Sequence, residues 1–193
     1  MHKPPHRFTA ADWDAAGLPQ LQMRWHEEYA PEEVACPNGY GLRGFEAGDE
    51  PAWIDILNRC DFGVWDRKRL DDMLAGARAP LPREGIVFAT NDGVPIGVAN
   101  AFLYDGQAGI RCELGWVGVK PEHRGRSVSA AICERVVRYA QHAGHAEVFL
   151  LTEDFRLGAI KTYLRLGFRE VLPEDTAVAA RWRTVRGVLG MPG

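Results

Sequence analysis

The sequence lacks the features that mark several large classes of protein. No stretch of its 193 residues approaches the roughly 20 apolar residues that a membrane-spanning helix needs. The basic start, from Met1 to Phe8, leads into no apolar region, so we expect no signal peptide. Neither sign of charge dominates, because 23 Lys and Arg stand against 26 Asp and Glu. This balance argues against a nucleic-acid-binding protein.

Cysteine is scarce, and its spacing follows no pattern for disulfides or zinc. The four cysteines are scattered, at Cys36, Cys60, Cys112 and Cys133. We expect them to be buried, reduced thiols, which are typical of a cytoplasmic protein. The pair His142 and His145 lacks the further ligands that zinc requires, so we predict no metal site.

What the sequence does contain is typical of one globular domain with a full core. Hydrophobic residues make up 46% and charged residues 25% of the chain, both ordinary values. Prolines recur in residues 1–38, which we interpret as an N-terminal extension or arm, with residues 39–193 as the domain. Within this extension Leu21, Met23 and Trp25 alternate with polar neighbours, which predicts one short strand laid against the domain.

Hydrophobic periodicity and turn signals predict the order of elements over the rest of the chain. We expect strands near 42–45, 86–89, 95–104, 111–119, 148–151 and 168–172, and helices near 49–60, 65–74, 125–143 and 155–166. Apolar residues recur at helical spacing from Val178 to Leu189 and predict a final helix. This β-α-α-β-β-β-α-β-α-β order plus a C-terminal helix indicates an α/β (α+β) fold with a mixed sheet. The β-α-β unit from 111 to 151 should be parallel.

Local signals mark the ends of these elements. Asp49 is the expected N-cap of the first helix, with Pro51 in its first turn. Asn91-Asp92-Gly93 predicts a hairpin turn, and residues 105–109 predict the next turn. Gly144 and Gly167 are expected to end the helices that precede them.

Residues 39–44 spell a literal G-x-G-x-x-G, a pattern found in dinucleotide-binding proteins. That fingerprint must follow a strand and open a helix. Here Cys36-Pro37-Asn38 precedes it, and Leu42 to Phe45 is itself the expected strand. We therefore favour a flexible lead-in to the first strand of the domain, and we keep a nicotinamide-binding protein as a rival hypothesis.

Residues 111–137 predict a strand, a basic turn and a helix. Leu114 to Val119 is an apolar run that Pro121 stops, and Val128 begins an apolar stripe at helical spacing. The first amides of a helix have no internal partner and lie at the positive end of its dipole, so such a turn binds anions, most often phosphate. Arg124 and Arg126 add positive charge. The alternative is an ordinary strand-to-helix turn with solvated arginines.

Two motifs in this order resemble the GCN5-related N-acetyltransferase (GNAT) superfamily. The run from Val117 to Arg126 and on to Ser129 is similar to a strand followed by R/Q-x-x-G-x-G/A, the acetyl-coenzyme A motif of that family. The run from Ala159 to Phe168 is similar to its second motif, A-x-x-x-Y-x-x-x-G-F. The resemblance covers roughly residues 40–172. It implies a mixed, mostly antiparallel central sheet with helices on both faces.

Three positions depart from the family pattern. Ser127 and Ser129 stand where the family usually carries Gly and then Gly or Ala. Each serine keeps its amide, and its hydroxyl can donate to a phosphate. Arg156 stands where Asn is common, three residues before Ala159. We expect it to reach a phosphate or an acidic substrate, or else to be a solvated helix charge.

The resemblance also implies a chemistry for particular residues. Amides of Val117, Gly118 and Val119 would bind the pantetheine arm and polarise the thioester carbonyl. Tyr163 matches the tyrosine that protonates the departing sulfur, and a phenol can supply such a proton. The alternative for Tyr163 is a ring packed in the core. Glu113 lies where the family often carries a general base, and the alternative for it is an ion pair with Arg111 or another cation.

These observations predict an N-acetyltransferase that moves an acetyl group from acetyl-coenzyme A (acetyl-CoA), its cosubstrate, to an amine by direct transfer. The predicted catalytic residues are Tyr163 and Glu113. The predicted cofactor-binding residues are Val117, Gly118, Val119, Arg124, Gly125, Arg126, Ser127, Val128, Ser129 and Arg156. The acceptor would be a small molecule or peptide, with no nucleic acid, membrane or metal involved, and a homodimer is left open. The alternative function is a non-catalytic acetyl-CoA-binding sensor or partner module.

Overall fold

A computed structural model describes residues 17–106, 109–172 and 176–191. The helices and strands in these ranges follow the predicted order. They are β1 (Leu21–Trp25), β2 (Tyr40–Gly44), α1 (Glu50–Asn58), α2 (Arg67–Leu74), β3 (Ile86–Asn91), β4 (Val94–Gly106), β5 (Gly109–Val119), α3 (Val128–His142), β6 (Glu147–Thr152), α4 (Leu157–Arg165), β7 (Phe168–Glu170) and α5 (Thr176–Leu189). Gln107 and Ala108, which belong to the turn predicted at residues 105–109, lie outside the described residues.

The seven strands form one sheet in the order β2-β3-β4-β5-β6-β1-β7. Every neighbouring pair is antiparallel except β5 and β6, which are parallel. The predicted mixed, mostly antiparallel sheet is therefore confirmed, as is the parallel unit from 111 to 151.

The strand predicted inside the N-terminal extension exists, and it lies inside the sheet rather than on its edge. β1 pairs with β6 from Leu21↔Thr152 onward, and with β7 from Met23↔Glu170 to Trp25↔Phe168. Leu21 and Met23 are fully buried. A boundary between residues 38 and 39 stays a prediction, and it would fall between two strands of the same sheet.

Helices cover both faces of the sheet, as predicted, and each face has its own apolar cluster. On one face α1 and α2 pack against β3 and β4, with Trp53 and Phe88 in edge-to-face contact at 5.7 Å. On the other face α3 carries a continuous buried stripe from Val128 to Ala140. Trp182 of α5 is buried in this second cluster.

Asp49 occupies the N-cap position of α1, but its side chain does not cap the helix. Its backbone is helical rather than extended, a geometry that aims the carboxylate away from the first turn. The carboxylate instead accepts from Arg43 at 2.6 and 2.7 Å and from the Glu46 amide at 2.8 Å. The predicted cap is therefore corrected, and Asp49 joins α1 to β2 through Arg43.

Other differences from the predicted bounds are small. The second helix begins at Arg67 rather than Trp65, because Asp66 caps it by accepting from the Arg69 amide at 2.8 Å. The predicted hairpin turn is confirmed, with Asp92 and Gly93 at φ 49° and 79°.

All four cysteines are free as predicted, but Cys36 is only partly buried, whereas the other three are buried.

The position of β1 predicts the cost of truncating a side chain there. Met23→Ala should lower the free energy of unfolding by about 2–5 kcal/mol, because it removes a fully buried side chain between β6 and β7. Arg24→Ala is the matched control, since its side chain is 46% exposed and a surface ion pair contributes at most about 1 kcal/mol. Urea unfolding followed by circular dichroism measures both. Equal effects of the two changes would contradict the buried position of β1.

Candidate active site

The two parallel strands at the centre of the sheet separate soon after they pair. β5 and β6 share three register pairs, from Arg111↔Glu147 to Glu113↔Phe149. Beyond them β6 pairs with β1, whereas residues 114–119 of β5 pair with β4 alone in the part of the chain that is described. Apart from the Val119 carbonyl, which accepts from Arg124 and Cys60, the N–H and C=O groups on that edge of β5 therefore face an opening. A ligand with amide groups can pair with them there.

A β-bulge in β5 lies at this opening. The register between β4 and β5 shifts between Val98↔Gly118 and Asn100↔Gly115, so one extra residue is inserted in β5. Trp116 lies in the bulge and has a left-handed backbone, at φ 47°. Its ring packs edge-on against that of Trp65, with 4.8 Å between the ring centres. A bulge bends and twists its strand, which accounts for the early end of pairing with β6.

A cavity of about 650 Å³ fills the opening, within the usual range for small-molecule sites. The end of β5, the turn into α3, the start of α4 and the loop after α1 form its walls. Most candidate residues line it: Val117, Gly118, Val119, Arg124, Gly125, Ser127, Val128, Ser129, Arg156 and Tyr163. Glu113 and Arg126 do not.

The turn before α3 presents its backbone to this cavity. Gly125 and Ser127 both have left-handed backbones, at φ 75° and 62°, and α3 begins at Val128. No side chain caps the helix at Ser127. The first amides of α3 thus stay available to an anion, at the positive end of the helix dipole.

The two arginines of the turn differ in what they contact. Nε of Arg124 donates to the Val119 carbonyl at 2.9 Å, and its Nη2 reaches the Arg59 carbonyl at 3.5 Å. Arg124 therefore joins the turn to β5 and to the end of α1. Arg126 is exposed, and a contact between either arginine and a phosphate stays a prediction.

Tyr163 lies on α4 and is 7% exposed. Its ring packs against Phe168 at 5.9 Å, and it also lines the cavity. Burial raises the pKa of the Tyr163 phenol well above its ordinary value, the neighbouring Cys133 raises it further, and the positive charge of Arg156 lowers it. The phenol is therefore protonated at neutral pH and is placed where a ligand in the cavity can contact it.

Glu113 is not brought to the cavity. It is buried in β5, and its carboxylate accepts from Nη2 of Arg78 at 2.6 and 2.8 Å. Arg78 also donates to the Tyr104 hydroxyl at 2.9 Å. The alternative of an ion pair is thus what the structure contains, with Arg78 as the cation, while Arg111 pairs with Glu147 at 3.4 Å.

Sequence reasoning missed the wall contributed by the loop after α1. Cys60, Asp61 and Phe62 line the cavity, and the Cys60 thiol donates to the Val119 carbonyl at 3.4 Å. It also missed His123, whose Nδ1 lies 3.0 Å from the Tyr40 hydroxyl. Tyr40 belongs to the 39–44 run, and its place in β2 rules out a dinucleotide fingerprint there.

Two large aromatic side chains belong to the core and not to the cavity. Trp53 and Trp65 are buried in the cluster under α1 and α2.

In the described ranges no three His, Cys, Asp or Glu side chains are grouped as metal ligands. Within the same ranges, no helix is long and apolar enough to cross a membrane.

The acetyltransferase (GNAT) family model matches residues 50–168. The chain therefore belongs to this family. The match includes α1 and α2, the bulged strand, the turn before α3 and the helix that carries Tyr163.

Several relatives can be compared with this chain. Mycothiol acetyltransferase from Thermobispora bispora is 30% identical over 152 residues, which cover 72% of this chain and 48% of that protein. A GCN5-related N-acetyltransferase from Sphaerobacter thermophilus has a TM-score of 0.63 at 22% identity, over 82% of this chain and 51% of that chain. Arabidopsis thaliana Naa50, in complex with the bisubstrate analogue CoA-Ac-MVNAL, has a TM-score of 0.56 at 17% identity, over 68% of this chain and 83% of that chain. This chain spans about half the length of the first two proteins.

The left-handed backbone at Ser127 generates a stability prediction. Ser127→Gly should stabilise the fold by up to ~1 kcal/mol, because glycine adopts a positive φ without the steric cost that serine bears. Ser129→Gly is the matched control, since Ser129 is already inside α3 and glycine there should be destabilising. Chemical unfolding of both variants tests the pair. A loss of stability in Ser127→Gly equal to that in Ser129→Gly would contradict the assigned backbone.

Proposed function

We propose that this protein is an acyl-CoA-dependent N-acyltransferase that moves an acetyl group directly from acetyl-CoA to an amine. The observation that supports it most is a convergence on one cavity. The unpaired edge of β5, the first amides of α3 and the Tyr163 side chain all meet there. Each group suits one part of acetyl-CoA. The β5 edge suits the amide-rich pantetheine arm, the α3 amides suit the diphosphate, and Tyr163 suits the leaving sulfur.

The binding role follows from the unpaired backbone. On this proposal, the edge of β5 at Val117, Gly118 and Val119 pairs with the amides of the pantetheine arm. The same N–H groups can polarise the thioester carbonyl as negative charge develops on its oxygen. The amides at Ser127, Val128 and Ser129 hold the diphosphate, since they combine free N–H groups with the positive end of the α3 dipole.

Tyr163 is the proposed general acid. The thiolate that leaves on acyl transfer is a better leaving group once it is protonated. Burial keeps the phenol protonated before the reaction, as the direction of its pKa shift indicates. The Tyr163 hydroxyl can therefore supply a proton to the sulfur without first taking one from solvent.

Glu113 as the general base stays a prediction, and the structure sets a condition on it. Its carboxylate accepts short hydrogen bonds from Arg78 at both oxygens, so an amine would have to compete with that guanidinium for it. Glu113 can act only if Arg78 moves away or if a water carries the proton from the amine to it.

The acceptor is proposed only by class. Mycothiol acetyltransferase is named for a small molecule, and Naa50 was solved with a peptide-bearing bisubstrate analogue. We therefore propose an amine acceptor that is either a small molecule or a peptide. A cytoplasmic location, a homodimer, and the absence of nucleic-acid, membrane and metal partners remain proposals.

Removal of the Tyr163 hydroxyl tests this function. Tyr163→Phe should lower kcat for acetyl transfer by about 10²–10⁴-fold, the usual contribution of a general acid. The KM for acetyl-CoA should change little, because the ring and its packing on Phe168 remain. Turnover of acetyl-CoA with a library of amines, followed by thiol release, measures both constants. Tyr139→Phe is the matched control, since Tyr139 lies on α3 outside the cavity.

The same assay separates the proposed enzyme from its rivals. A thermal shift with acetyl-CoA but no turnover with any amine would favour the sensor module, which the serines at the two small positions of the turn keep open. A thermal shift with NAD and none with acetyl-CoA would overturn the proposal altogether. At a hundredfold excess over Kd, the true ligand should stabilise the fold by about 2.7 kcal/mol.

A second variant tests the general base. If Glu113 takes the amine proton, Glu113→Gln should lower kcat by about 10²-fold or more, with little change in the KM for acetyl-CoA. If Glu113 is structural, the same change should chiefly lower the melting temperature, because it leaves the Arg78 guanidinium without its carboxylate. Kinetics and thermal unfolding of Glu113→Gln, with Arg78→Gln as the companion variant, decide between these outcomes. A stable Glu113→Gln with wild-type kcat would contradict both roles.

A further inference from the structure

Arg156 spans the cavity from the start of α4 to the loop after α1. Its Nε donates to the Glu153 carboxylate at 2.5 Å, and its Nη2 reaches the Asp61 carbonyl at 3.4 Å. The guanidinium lies 4.7 Å from the centre of the Phe62 ring and 5.2 Å from that of Phe155. Its side chain is only 23% exposed. Arg156 is therefore held in place on several sides and is not a solvated helix charge.

Arg156 and Tyr163 lie on the same side of α4. Arg156 is the N-cap residue of α4, Tyr163 follows seven residues or about two turns later, and both line the cavity. Helical side chains lean towards the N-terminus of their helix. The phenol of Tyr163 is therefore expected to extend towards the end of α4 where Arg156 stands, and the positive charge of Arg156 lowers the Tyr163 pKa.

The environment of Tyr163 creates a difficulty for its proposed role. When the phenol gives its proton to sulfur, the Tyr163 O–H bond breaks, an S–H bond forms, and a phenolate remains until a proton from solvent or the amine returns. A buried phenolate is costly unless a cation is near. Burial, Cys133 from α3 and Glu153 before α4 all oppose the phenolate, whereas the positive charge of Arg156 favours it.

We propose that Arg156 is a positioning residue that stabilises the phenolate form of Tyr163, and so allows a deeply buried tyrosine to act as the acid for the leaving thiolate. Glu153 fixes the guanidinium in that place, and Glu153 itself accepts from Gln20 at 2.7 Å. This inference rests on the proposed acyl transfer. It differs from the predicted contact with phosphate, which would affect the binding of acetyl-CoA and not the proton transfer.

Kinetics of charge-matched variants test the inference. Arg156→Gln should lower kcat about tenfold or more, the equivalent of one pKa unit in acid strength, and leave the KM for acetyl-CoA nearly unchanged. Arg156→Lys keeps the charge but loses the planar stacking on Phe62, and it should retain most of kcat. Arg183→Gln removes the same charge from an exposed position on α5 and should behave like the wild type. A raised KM with unchanged kcat in Arg156→Gln would overturn the inference in favour of a phosphate contact.

A titration that needs no turnover separates this inference from the proposed function. A fluorinated tyrosine at position 163, whose phenol is a stronger acid, can be titrated by ¹⁹F NMR in each background. Arg156→Gln should lower its acid dissociation constant about tenfold relative to the wild-type background, and Arg156→Lys should not. An unchanged constant in Arg156→Gln overturns the inference even if the protein is an active acetyltransferase. A tenfold change supports it even if no amine is turned over.

Discussion

The site depends on one constraint: the parallel pairing of β5 and β6 ends after three residue pairs. A parallel ladder that continued to Val119 would bond every backbone group along the edge and leave nothing for a ligand. The bulge at Trp116 prevents this, because the inserted residue bends β5 away from its neighbour. The cavity lies at that divergence, between the end of β5, the turn before α3 and the helix that carries Tyr163.

Two different sources supply positive charge around the cavity. At the start of α3, main-chain amides supply the positive potential, and Arg124 is engaged in holding the turn to β5. At the start of α4, a side chain supplies it, with Arg156 bridging to the loop after α1. Under the proposed function, the backbone amides would hold a fixed anion such as a diphosphate, and the Arg156 guanidinium would act on a charge that appears only during the reaction.

The sequence predicted the elements of this fold well because they depend on local periodicity and turn chemistry. The hairpin at Asp92 and Gly93, the stripe on α3 and the alternation in β1 are all short-range patterns. Pairings between distant residues could not be predicted in this way. Arg78 and Glu113 are 35 positions apart, and nothing near either residue indicates the other. The bulge was also hidden, because tryptophan is not a residue that favours a left-handed backbone.

The place of β1 in the sheet bears on how the chain reaches its folded state. Trp25 donates to the carbonyl of Leu166, 141 positions further along. During synthesis β1 therefore cannot complete its pairing with β6 and β7 until residues up to 170 have left the ribosome. Contacts of such long range slow folding and prolong the exposure of apolar strand edges. The sheet is thus expected to form late and as a single unit. Its unpaired strands should stay accessible to chaperones for longer than those of a sheet built from sequential hairpins.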